Sequence, residues 1–317
     1  MDGDLACRER LSPELDVAFP DAGVRKGDTL GNVRRFRALL TELRPAVLVT
    51  SNWGTIEWAM ANVVPVVPHV HIEDGFGPEE RATQIRRRVW TRRLVLRRST
   101  VVVPSRVLWR IATGVWRLDE RRVRYVPNGI DLARFAPRAA SDGMVVGTVA
   151  ALRAEKNLAR LLRAFAIVAP DLPARLVIVG DGPERGALAA LAGQLGIAGR
   201  VDFRGHVAAP AAVYAGLDVF ALSSDTEQMP LSVLEAMAAG VAVAATDVGD
   251  VREMLAEANA PLVVAQDDAA LAAALRTLLT DKALRERIAL ANRAKAERDY
   301  ADEKMFAAYA ALFTPAA

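Results

Sequence analysis

The sequence predicts an α/β protein with two Rossmann-like domains, each built on a parallel sheet. Short β-branched runs alternate with helix-length segments along the chain, which is the rhythm of βαβ units. The runs are apolar throughout, and such strands are buried on both faces, as in parallel sheets covered by helices. The length of 317 residues also suits two domains better than one.

The first half of the chain offers fewer strands than the second. Its predicted helix covers residues 30–43, and its strands are residues 46–50, 63–67, 101–103 and 124–126. The strands of the second half are residues 144–150, 175–180, 200–205, 218–223, 241–246 and 261–265. Helices are expected up to residue 169, from Glu184, from Leu231 and over residues 301–313.

The domain boundary is expected at residues 136–143, where apolar periodicity lapses and proline and glycine interrupt the chain. We therefore predict a first domain over residues 1–138 and a second over 139–300. Residues 1–28 are polar, with only a weak strand pattern at 15–19, whereas a Rossmann-like unit opens on a buried strand and a glycine-rich turn. The first domain is therefore expected to be incomplete and to lack an N-terminal strand–helix–strand segment.

Composition excludes several classes of protein. Hydrophobic residues make up 52% and charged residues 25%, which is typical of a globular protein and not of a disordered one. One cysteine and three histidines supply neither an intrachain disulfide nor a four-ligand zinc cluster, and a cytoplasmic location is expected. The longest apolar stretch, near residues 234–246, is too short and too interrupted to span a membrane.

Charge is distributed unevenly along the chain. Residues 1–138 hold 24 of the 41 Lys and Arg and 16 of the 38 Asp and Glu, a net charge of +8 against −5 for the remainder. A basic half is compatible with an anionic substrate, a lipid surface or nucleic acid. Residues 81–98 hold eight arginines among apolar residues, which predicts either a helix docked on anionic lipid or a surface helix with solvated arginines.

Basic residues follow the first strand of the second domain. Arg153 and Lys156 come after residues 144–150, where a helix N-terminus and two cations together make a diphosphate receptor. The alternative is a solvated charge cluster at a helix start.

A glycine-rich turn, GDGP, follows the next strand. Its glycines permit a tight turn, and its proline suits the first helical position. The dinucleotide-binding fingerprint is not matched, because Arg185 stands where a small residue is needed. The turn is therefore either part of a ligand site, through Gly180 and Asp181, or an ordinary strand-to-helix connection.

The strongest signal comes after residues 218–223. Pro230 marks a helix start, so the backbone N–H groups of Met229, Leu231 and Ser232 are expected to face a ligand.

Two carboxylates belong to the same segment. Glu235 lies inside an otherwise apolar helix, where a carboxylate must be paired or bound to a ligand because burying it alone is costly. Glu227 precedes that helix, so both carboxylates can reach one pocket. The alternative is that Glu235 pairs with a neighbouring arginine.

These segments resemble the retaining, nucleotide-sugar-dependent glycosyltransferases of family 4, which have the GT-B fold. The resemblance covers residues 45–315 and implies two Rossmann-like domains with parallel sheets facing across a cleft, with the C-terminal helix of residues 301–317 packed back on the first. It is carried by ALRAEKN at 151–157, VIVGDGPE at 177–184, VDFRGHV at 201–207, SSDTEQMPLSVLEAMAAGVAVAATDVG at 223–249 and VPNGIDLARFAP at 126–137.

The resemblance implies a role for each of these residues. Arg153 and Lys156 would bind the donor diphosphate, Glu235 the ribose hydroxyls, and Glu227 the hydroxyls of the transferred sugar. The backbone of residues 228–232 would hold sugar and phosphate, and the turn around His206 would lie near the base. Gln228 stands where the family usually has glycine, which leaves the donor sugar open.

The chemistry implied by the resemblance is departure of the phosphate from the anomeric carbon. Arg153, Lys156 and the helix N-terminus would stabilise the developing negative charge. Retention is attributed to attack from the same face, with the leaving phosphate helping to deprotonate the acceptor. No metal or other cofactor is expected beyond the nucleotide sugar, and the one D-x-D string, at residues 2–4, is poorly placed to bind a metal.

The acceptor side is expected in the first domain. Residues 69–80 follow the strand predicted at 63–67, where the family often presents a histidine to the donor sugar or acceptor. His71 and Asp74 are the catalytic candidates for that position, unless they are loop residues with local hydrogen bonds. Further residues expected at the acceptor cleft follow the preceding strand, although the tryptophan among them is equally compatible with a core position: Asn52, Trp53 and Glu57.

The expected partners are a UDP- or GDP-sugar, a saccharide or lipid-linked acceptor of polysaccharide biosynthesis, and an anionic membrane surface, without nucleic acid. The protein is then expected in the cytoplasm or at the inner face of the membrane. Three alternatives stay open: a sugar-nucleotide epimerase of the same fold, a nicotinamide-dependent oxidoreductase, and an inactive fragment that binds nucleotide without turnover.

Overall fold

The computed structural model describes residues 11–76, 78–80, 83–136 and 144–314 of the chain. They form two compact units: the first takes the chain up to Tyr125 and from Tyr309 onward, and the second runs from Val126 to Ala308. Each unit holds a parallel sheet, so the prediction of two parallel-sheet α/β domains is confirmed. The boundary expected at residues 136–143 falls almost wholly outside the described residues.

The sheet of the first unit has the order β1-β2-β3-β4, all parallel. Its strands are β1 Leu48–Ser51, β2 His69–Ile72, β3 Thr100–Val103 and β4 Val123–Tyr125. Its helices are α1 Thr29–Leu43, α2 Ile56–Ala61, α3 Arg86–Val95 and α4 Arg106–Arg110, the last continued by a π-helical turn over Ile111–Val115. The core on this sheet contains Trp116, Leu108 and Val101, all fully buried.

The strand predicted at residues 63–67 is wrong. Pro65 lies inside that run and cannot donate to a sheet ladder, and strand β2 begins only after Pro68. Asn62 instead ties the run into a loop: its side-chain oxygen accepts from the Val66 amide at 2.8 Å and its amide donates to the Val67 carbonyl at 2.9 Å. The weak strand pattern at residues 15–19 also forms no strand, and those residues are exposed.

The sheet of the second unit has the order β10-β9-β8-β5-β6-β7. Its strands are β5 Val145–Val149, β6 Arg175–Val179, β7 Val201–Gly205, β8 Val219–Leu222, β9 Ala242–Thr246 and β10 Val263–Val264. The helices from here to the chain end are α5 Leu158–Val168, α6 Arg185–Gln194, α7 Ala211–Ala215, α8 Leu231–Ala238, α9 Val251–Met254, α10 Asp268–Thr280, α11 Lys282–Asp299 and α12 Asp302–Phe313.

Both faces of this second sheet are covered, as its apolar strands predict. Along β8 the buried side chains alternate: Val219 and Ala221 join the core that contains Phe165 of α5, while Phe220 joins the core that contains Val233 of α8. The chain proceeds from β5 through β6 to β7 on one side and returns to β8 on the other side of β5. The carboxyl ends of β5 and β8 therefore flank the switch point, where ligands bind in open α/β sheets.

In the described part of the chain, no helix combines the length and the apolar character that crossing a membrane requires.

Candidate active site

The switch point joins two loops by backbone and side-chain hydrogen bonds. The loop after β5 contains a 3-10 turn over Ala154–Lys156, and the loop after β8 begins at Ser223. The Asp225 amide donates to the Glu155 carbonyl at 2.9 Å, and the Ser223 hydroxyl donates to the Lys156 carbonyl at 3.0 Å. The two segments that the sequence singled out are therefore held side by side.

Lys156 and Glu227 form an ion pair across these loops, with 2.6 Å between Nζ and Oε1. The Ser224 hydroxyl donates to the same Oε1 at 2.7 Å. The side chain of Glu227 is 9% exposed and that of Lys156 is 25% exposed. Within the described residues, Oε2 of Glu227 accepts no hydrogen bond, so one carboxylate oxygen is fixed and the other is available.

A second set of contacts, from Arg160 and Asn157, holds the loop after β8 in place. The local sequence pattern does not predict these contacts. Arg160 of α5 is buried; its guanidinium donates to the Ser223 carbonyl at 2.8 Å and pairs with Asp225 Oδ1 at 2.8 Å. Asn157 donates to the same Asp225 oxygen at 3.0 Å and caps α5 through the Arg160 amide. The position of Glu227 is thus set by residues from α5 as well as from its own loop.

Helix α8 begins at Leu231 directly after Pro230, as the sequence predicts. No side chain caps this end, and the amides of Leu231 and Ser232 donate to no group in the described parts of the chain. The first-turn amides are therefore available to an anion, whose charge the helix dipole favours.

The segment leading into α8 is fixed by the chain on either side. The Asn128 side-chain amide donates to the Met229 carbonyl at 3.2 Å, and the Asp250 amide donates to the Gln228 carbonyl at 2.9 Å. Gly249 has φ +56°, and a Cβ there would lie 2.5 Å from the Glu227 carbonyl oxygen. Only glycine allows this close approach.

Glu235 finds a partner other than the arginine that the sequence offered as an alternative. The Tyr214 hydroxyl, from α7, donates to Glu235 Oε2 at 2.6 Å. Burial raises the pKa of Glu235, against the hydrogen bond from Tyr214 and the charge of Arg134, which lower it. Burial and the neighbouring carboxylate also raise the pKa of Tyr214 well above its usual value. Within the described residues, Oε1 of Glu235 accepts no hydrogen bond.

The glycine-rich turn after β6 packs against the loop after β5, beside the switch point. Gly180 has φ +132°, and a Cβ there would lie 1.9 Å from the Ala150 carbonyl oxygen. The Gly180 amide donates to the Gly205 carbonyl at 2.8 Å, and the Leu152 amide donates to the Asp181 carbonyl at 2.9 Å. The loops after β5, β6 and β7 are thereby joined, so Gly180 has a packing role whatever it contributes to a ligand.

Three predicted donor residues have exposed side chains around this site. His206 follows β7, and Arg153 lies just before the 3-10 turn; neither side chain has a hydrogen bond or ion pair among the described residues. Asp181 accepts from the Gly182 amide at 2.8 Å and lies 3.8 Å from Arg185 in an exposed pair.

In the first unit, His71 occupies a different place from the one expected. It lies inside β2, fully buried, and not in a loop that follows a strand. Its Nδ1 is 2.7 Å from the Thr50 hydroxyl and its Nε2 is 3.3 Å from Glu73 Oε2. Both ring nitrogens are therefore engaged within the protein. His71 lies in a strand and not in a loop because this strand begins at His69, later than the sequence predicts.

Glu73 belongs to a buried ionic cluster. Arg92 of α3 is 1% exposed and donates to Glu73 at 3.2 Å and to Glu80 at 3.2 Å. The Arg92 guanidinium also lies 5.2 Å from the ring of Trp53, a cation–π contact, and this half-buried tryptophan packs against the core of the first unit. Burial raises the pKa of Glu80, but the bonds from Arg92 and Arg88 outweigh it and hold the pKa below its ordinary value.

Asp74 is the first-unit candidate that reaches the surface. It lies two residues after β2, and its amide donates to Asn52 Oδ1 at 2.8 Å. Partial desolvation raises the pKa of the exposed Asp74 carboxyl. Asn52 has φ +53° and ψ −174°, a combination that costs a residue with a side chain about 1–3 kcal/mol. Glu57, by contrast, accepts a hydrogen bond from the hydroxyl of Thr29, the first residue of α1, at 2.6 Å.

Comparison with known proteins assigns both halves of the chain. A family model described as Glycosyl transferases group 1 matches residues 130–295, and one described as Glycosyltransferase Family 4 matches residues 2–134. The sequence-based resemblance to family 4 glycosyltransferases is thereby confirmed.

Two curated relatives illustrate the similarity. A GDP-mannose-dependent alpha-mannosyltransferase of Mycolicibacterium smegmatis is 32% identical over 208 residues, covering 61% of this chain and 52% of the relative. A D-inositol 3-phosphate glycosyltransferase of Stackebrandtia nassauensis is 28% identical over 269 residues, covering 77% and 59% respectively. The chain thus spans between half and three fifths of the length of these relatives.

Solved structures show the same fold. HepE of Anabaena in complex with UDP has a TM-score of 0.78 at 21% identity, covering 89% of this chain and 81% of that one. A sucrose-phosphate synthase of Thermosynechococcus elongatus has a TM-score of 0.76 at 21% identity, covering 92% and 79%. The GT-B fold class predicted from the sequence is confirmed.

Proposed function

Because the chain belongs to the group 1 glycosyltransferase family, we propose that it transfers a sugar from a nucleoside-diphosphate sugar to a saccharide or lipid-linked acceptor. The observation that carries the proposal is the switch point of the second unit. There Lys156, Glu227 and the uncapped start of α8 come together, with Glu235 on the same helix.

The diphosphate is proposed to bind at the start of α8, beside Lys156 and Arg153. An ammonium has three N–H donors, so Lys156 can keep its bond to Glu227 and still donate to a phosphate oxygen. Arg153 has an exposed guanidinium without a partner in the described chain, and the Leu231 and Ser232 amides add neutral donors. These groups would stabilise the negative charge that develops on the leaving phosphate.

The two carboxylates are proposed to hold hydroxyl groups at either end of the donor. Each has one oxygen fixed by the protein, Glu235 by Tyr214 and Glu227 by Lys156 and Ser224. Their second oxygens can accept from a ligand, which suits ribose hydroxyls at Glu235 and sugar hydroxyls at Glu227. Gln228 would then face the transferred sugar, and the His206 turn the base.

For the acceptor side we propose Asp74 and not His71, since the histidine has no ring nitrogen left for a substrate. The relatives named for GDP-mannose and the structures with UDP support a GDP- or UDP-sugar as donor. Transfer is proposed to be metal-independent and to retain the anomeric configuration.

The test measures nucleoside diphosphate release from a panel of UDP- and GDP-sugars, with and without saccharide and lipid-linked acceptors, and the product anomer by NMR. We expect acceptor-dependent release and a retained anomer, abolished by Glu235→Gln and Lys156→Met. Glu253→Gln, on the exposed side of α9, serves as the control and should leave turnover unchanged. A C2-inverted sugar nucleotide as product would indicate an epimerase, and tight nucleotide binding without release would indicate a binding protein.

A further inference from the structure

The arginines of helix α3 fall into two sets, one facing the interior of the first unit and one facing outward. Arg88 and Arg92, four residues apart, point inward: Arg92 pairs with Glu73 and Glu80, and Arg88 pairs with Glu80 at 3.1 Å. Carboxylates within the first unit therefore neutralise the inward set, which accounts for two of the arginines in this basic segment.

The outward set surrounds exposed apolar side chains. Trp90 is 62% exposed and Leu94 is 57% exposed, on the same helix face as Arg87 at spacings of three and seven residues. They line a surface groove of about 780 Å³, to which Arg93, Arg97 and Arg117 also belong. We call these six residues the α3 surface: Arg87, Trp90, Arg93, Leu94, Arg97 and Arg117.

The arginines of the α3 surface have no acidic partner in the part of the chain that the structure describes. Among the residues described, none of the four forms an ion pair, and Arg93 instead stacks its guanidinium 5.2 Å from the Trp90 ring. The nearest acid in the sequence to Arg117 is Asp119, which pairs with Arg121 at 3.1 Å. The surface therefore combines four positive charges with an exposed indole and an exposed leucine, and none of the described acidic residues pairs with these arginines.

We propose that the α3 surface docks the protein on a lipid bilayer that contains anionic headgroups. Tryptophan and arginine are the side chains that favour the headgroup level of a membrane, and Leu94 can enter the acyl boundary beside them. Nucleic acid would match the arginines but would leave Leu94 in contact with a polar backbone. This inference is independent of the proposed transfer reaction, because no residue of the α3 surface belongs to the nucleotide site.

The test is flotation of the full chain with vesicles of phosphatidylcholine alone and with vesicles containing one third phosphatidylglycerol. We expect flotation only with the anionic vesicles, weakened by salt because exposed charges are screened. The triple change Arg87→Gln, Arg97→Gln and Arg117→Gln should weaken partitioning about a hundredfold. The double change Trp90→Ala with Leu94→Ala should abolish flotation.

The matched control changes an exposed arginine and an exposed leucine elsewhere, Arg287→Gln with Leu290→Ala on α11, where Leu290 is 73% exposed. It should float as the wild type does. All variants should melt at the wild-type temperature and bind UDP or GDP as the wild type does, which separates lost docking from lost folding or lost donor binding.

Three outcomes would overturn the proposal. The wild type could stay unbound to anionic vesicles; it could bind both vesicle types equally; or the α3-surface variants could float as well as the control. Binding to a single-stranded RNA in a gel-shift assay, without flotation, would likewise reject the bilayer and assign the arginines to nucleic acid.

Discussion

The Tyr214 hydroxyl donates a 2.6 Å hydrogen bond to Oε2 of Glu235, joining α7 to the first turns of α8. This bond explains how a carboxylate is tolerated within an apolar helix, since a buried charge needs a donor. It also leaves the second oxygen of Glu235 for a ligand. The bond from Tyr214 therefore fixes the carboxylate in position while one of its oxygens can still accept a hydrogen bond.

Tyr214→Phe removes that donor without changing the packing of the ring. We expect nucleotide affinity to fall about fivefold, because a hydrogen bond of this kind contributes about 1 kcal/mol. The change should also raise the pKa of Glu235 further above 4.5, since the bond from Tyr214 now lowers it against the effect of burial. Nucleotide binding should then be lost at a higher pH on acidification than in the wild type, as measured by calorimetric titration across pH. An unchanged pH profile would contradict the assignment of Glu235.

Lys156→Met should weaken nucleoside diphosphate binding far more than it destabilises the fold. The ion pair with Glu227 is partly exposed, so its loss should cost about 1 kcal/mol or less and lower the melting temperature by only about 2–4 °C. Affinity for a nucleoside diphosphate should fall about tenfold or more, because the diphosphate loses a charged donor. Lys26→Met, at an exposed position of the first unit, is the control and should change neither quantity. Equal affinities in the two variants would remove Lys156 from the site.

Gly180→Ala and Gly186→Ala form a matched pair. At Gly180 the added methyl would lie 1.9 Å from the Ala150 carbonyl at φ +132°, so we expect a loss of more than about 2 kcal/mol in unfolding free energy. At Gly186, inside α6, a Cβ meets nothing within 4 Å, so alanine should stabilise the protein by about 0.5–1 kcal/mol. Denaturant unfolding distinguishes the two; equal effects would mean that the loops after β5 and β6 do not touch.

Arg92→Met leaves the buried Glu73 without its cation and leaves the buried Glu80 with Arg88 alone. We expect a loss of about 3–5 kcal/mol at neutral pH, as for other buried pairs that lose one partner. In the wild type the pKa of Glu80 is lowered, so its stabilising contribution is present above the unfolded pKa and is lost as pH falls through the native value. Without Arg92 that dependence should weaken or reverse. Arg86→Met, at the exposed start of α3, is the control in thermal melts, and equal melting of both variants would contradict the buried cluster.

The sequence predicts most of the fold because strands that are buried on both faces are continuous apolar runs, which stand out in the sequence. All six strands of the second unit lie within or beside the predicted runs, and α8 begins at the predicted residue. The failure at residues 63–67 has a local cause: Pro65 breaks a β-branched run, and the HVHI run after Pro68 carries histidines that do not look like core residues. His71 is fully buried and His69 half-buried, and Thr50, Ser99 and Glu73 satisfy their ring nitrogens.

The candidate site is only partly predictable from the sequence. Strand ends and the helix start identify Lys156, Glu227 and Glu235, but their partners come from distant residues. Tyr214 lies 21 residues before Glu235, and Arg160 supports the loop after β8 from a different helix. Such partners depend on which elements pack together, which periodicity does not reveal. The donor roles of these residues stay predictions.

The most direct measurement is calorimetric titration of the protein with UDP and GDP, each compared with its nucleoside, for the wild type and Arg153→Gln. The account predicts that at least one nucleoside diphosphate binds, that its nucleoside binds far more weakly, and that Arg153→Gln reduces the difference between them. Equal binding of nucleoside and nucleoside diphosphate, or no binding of either diphosphate, would contradict a diphosphate site at the start of α8.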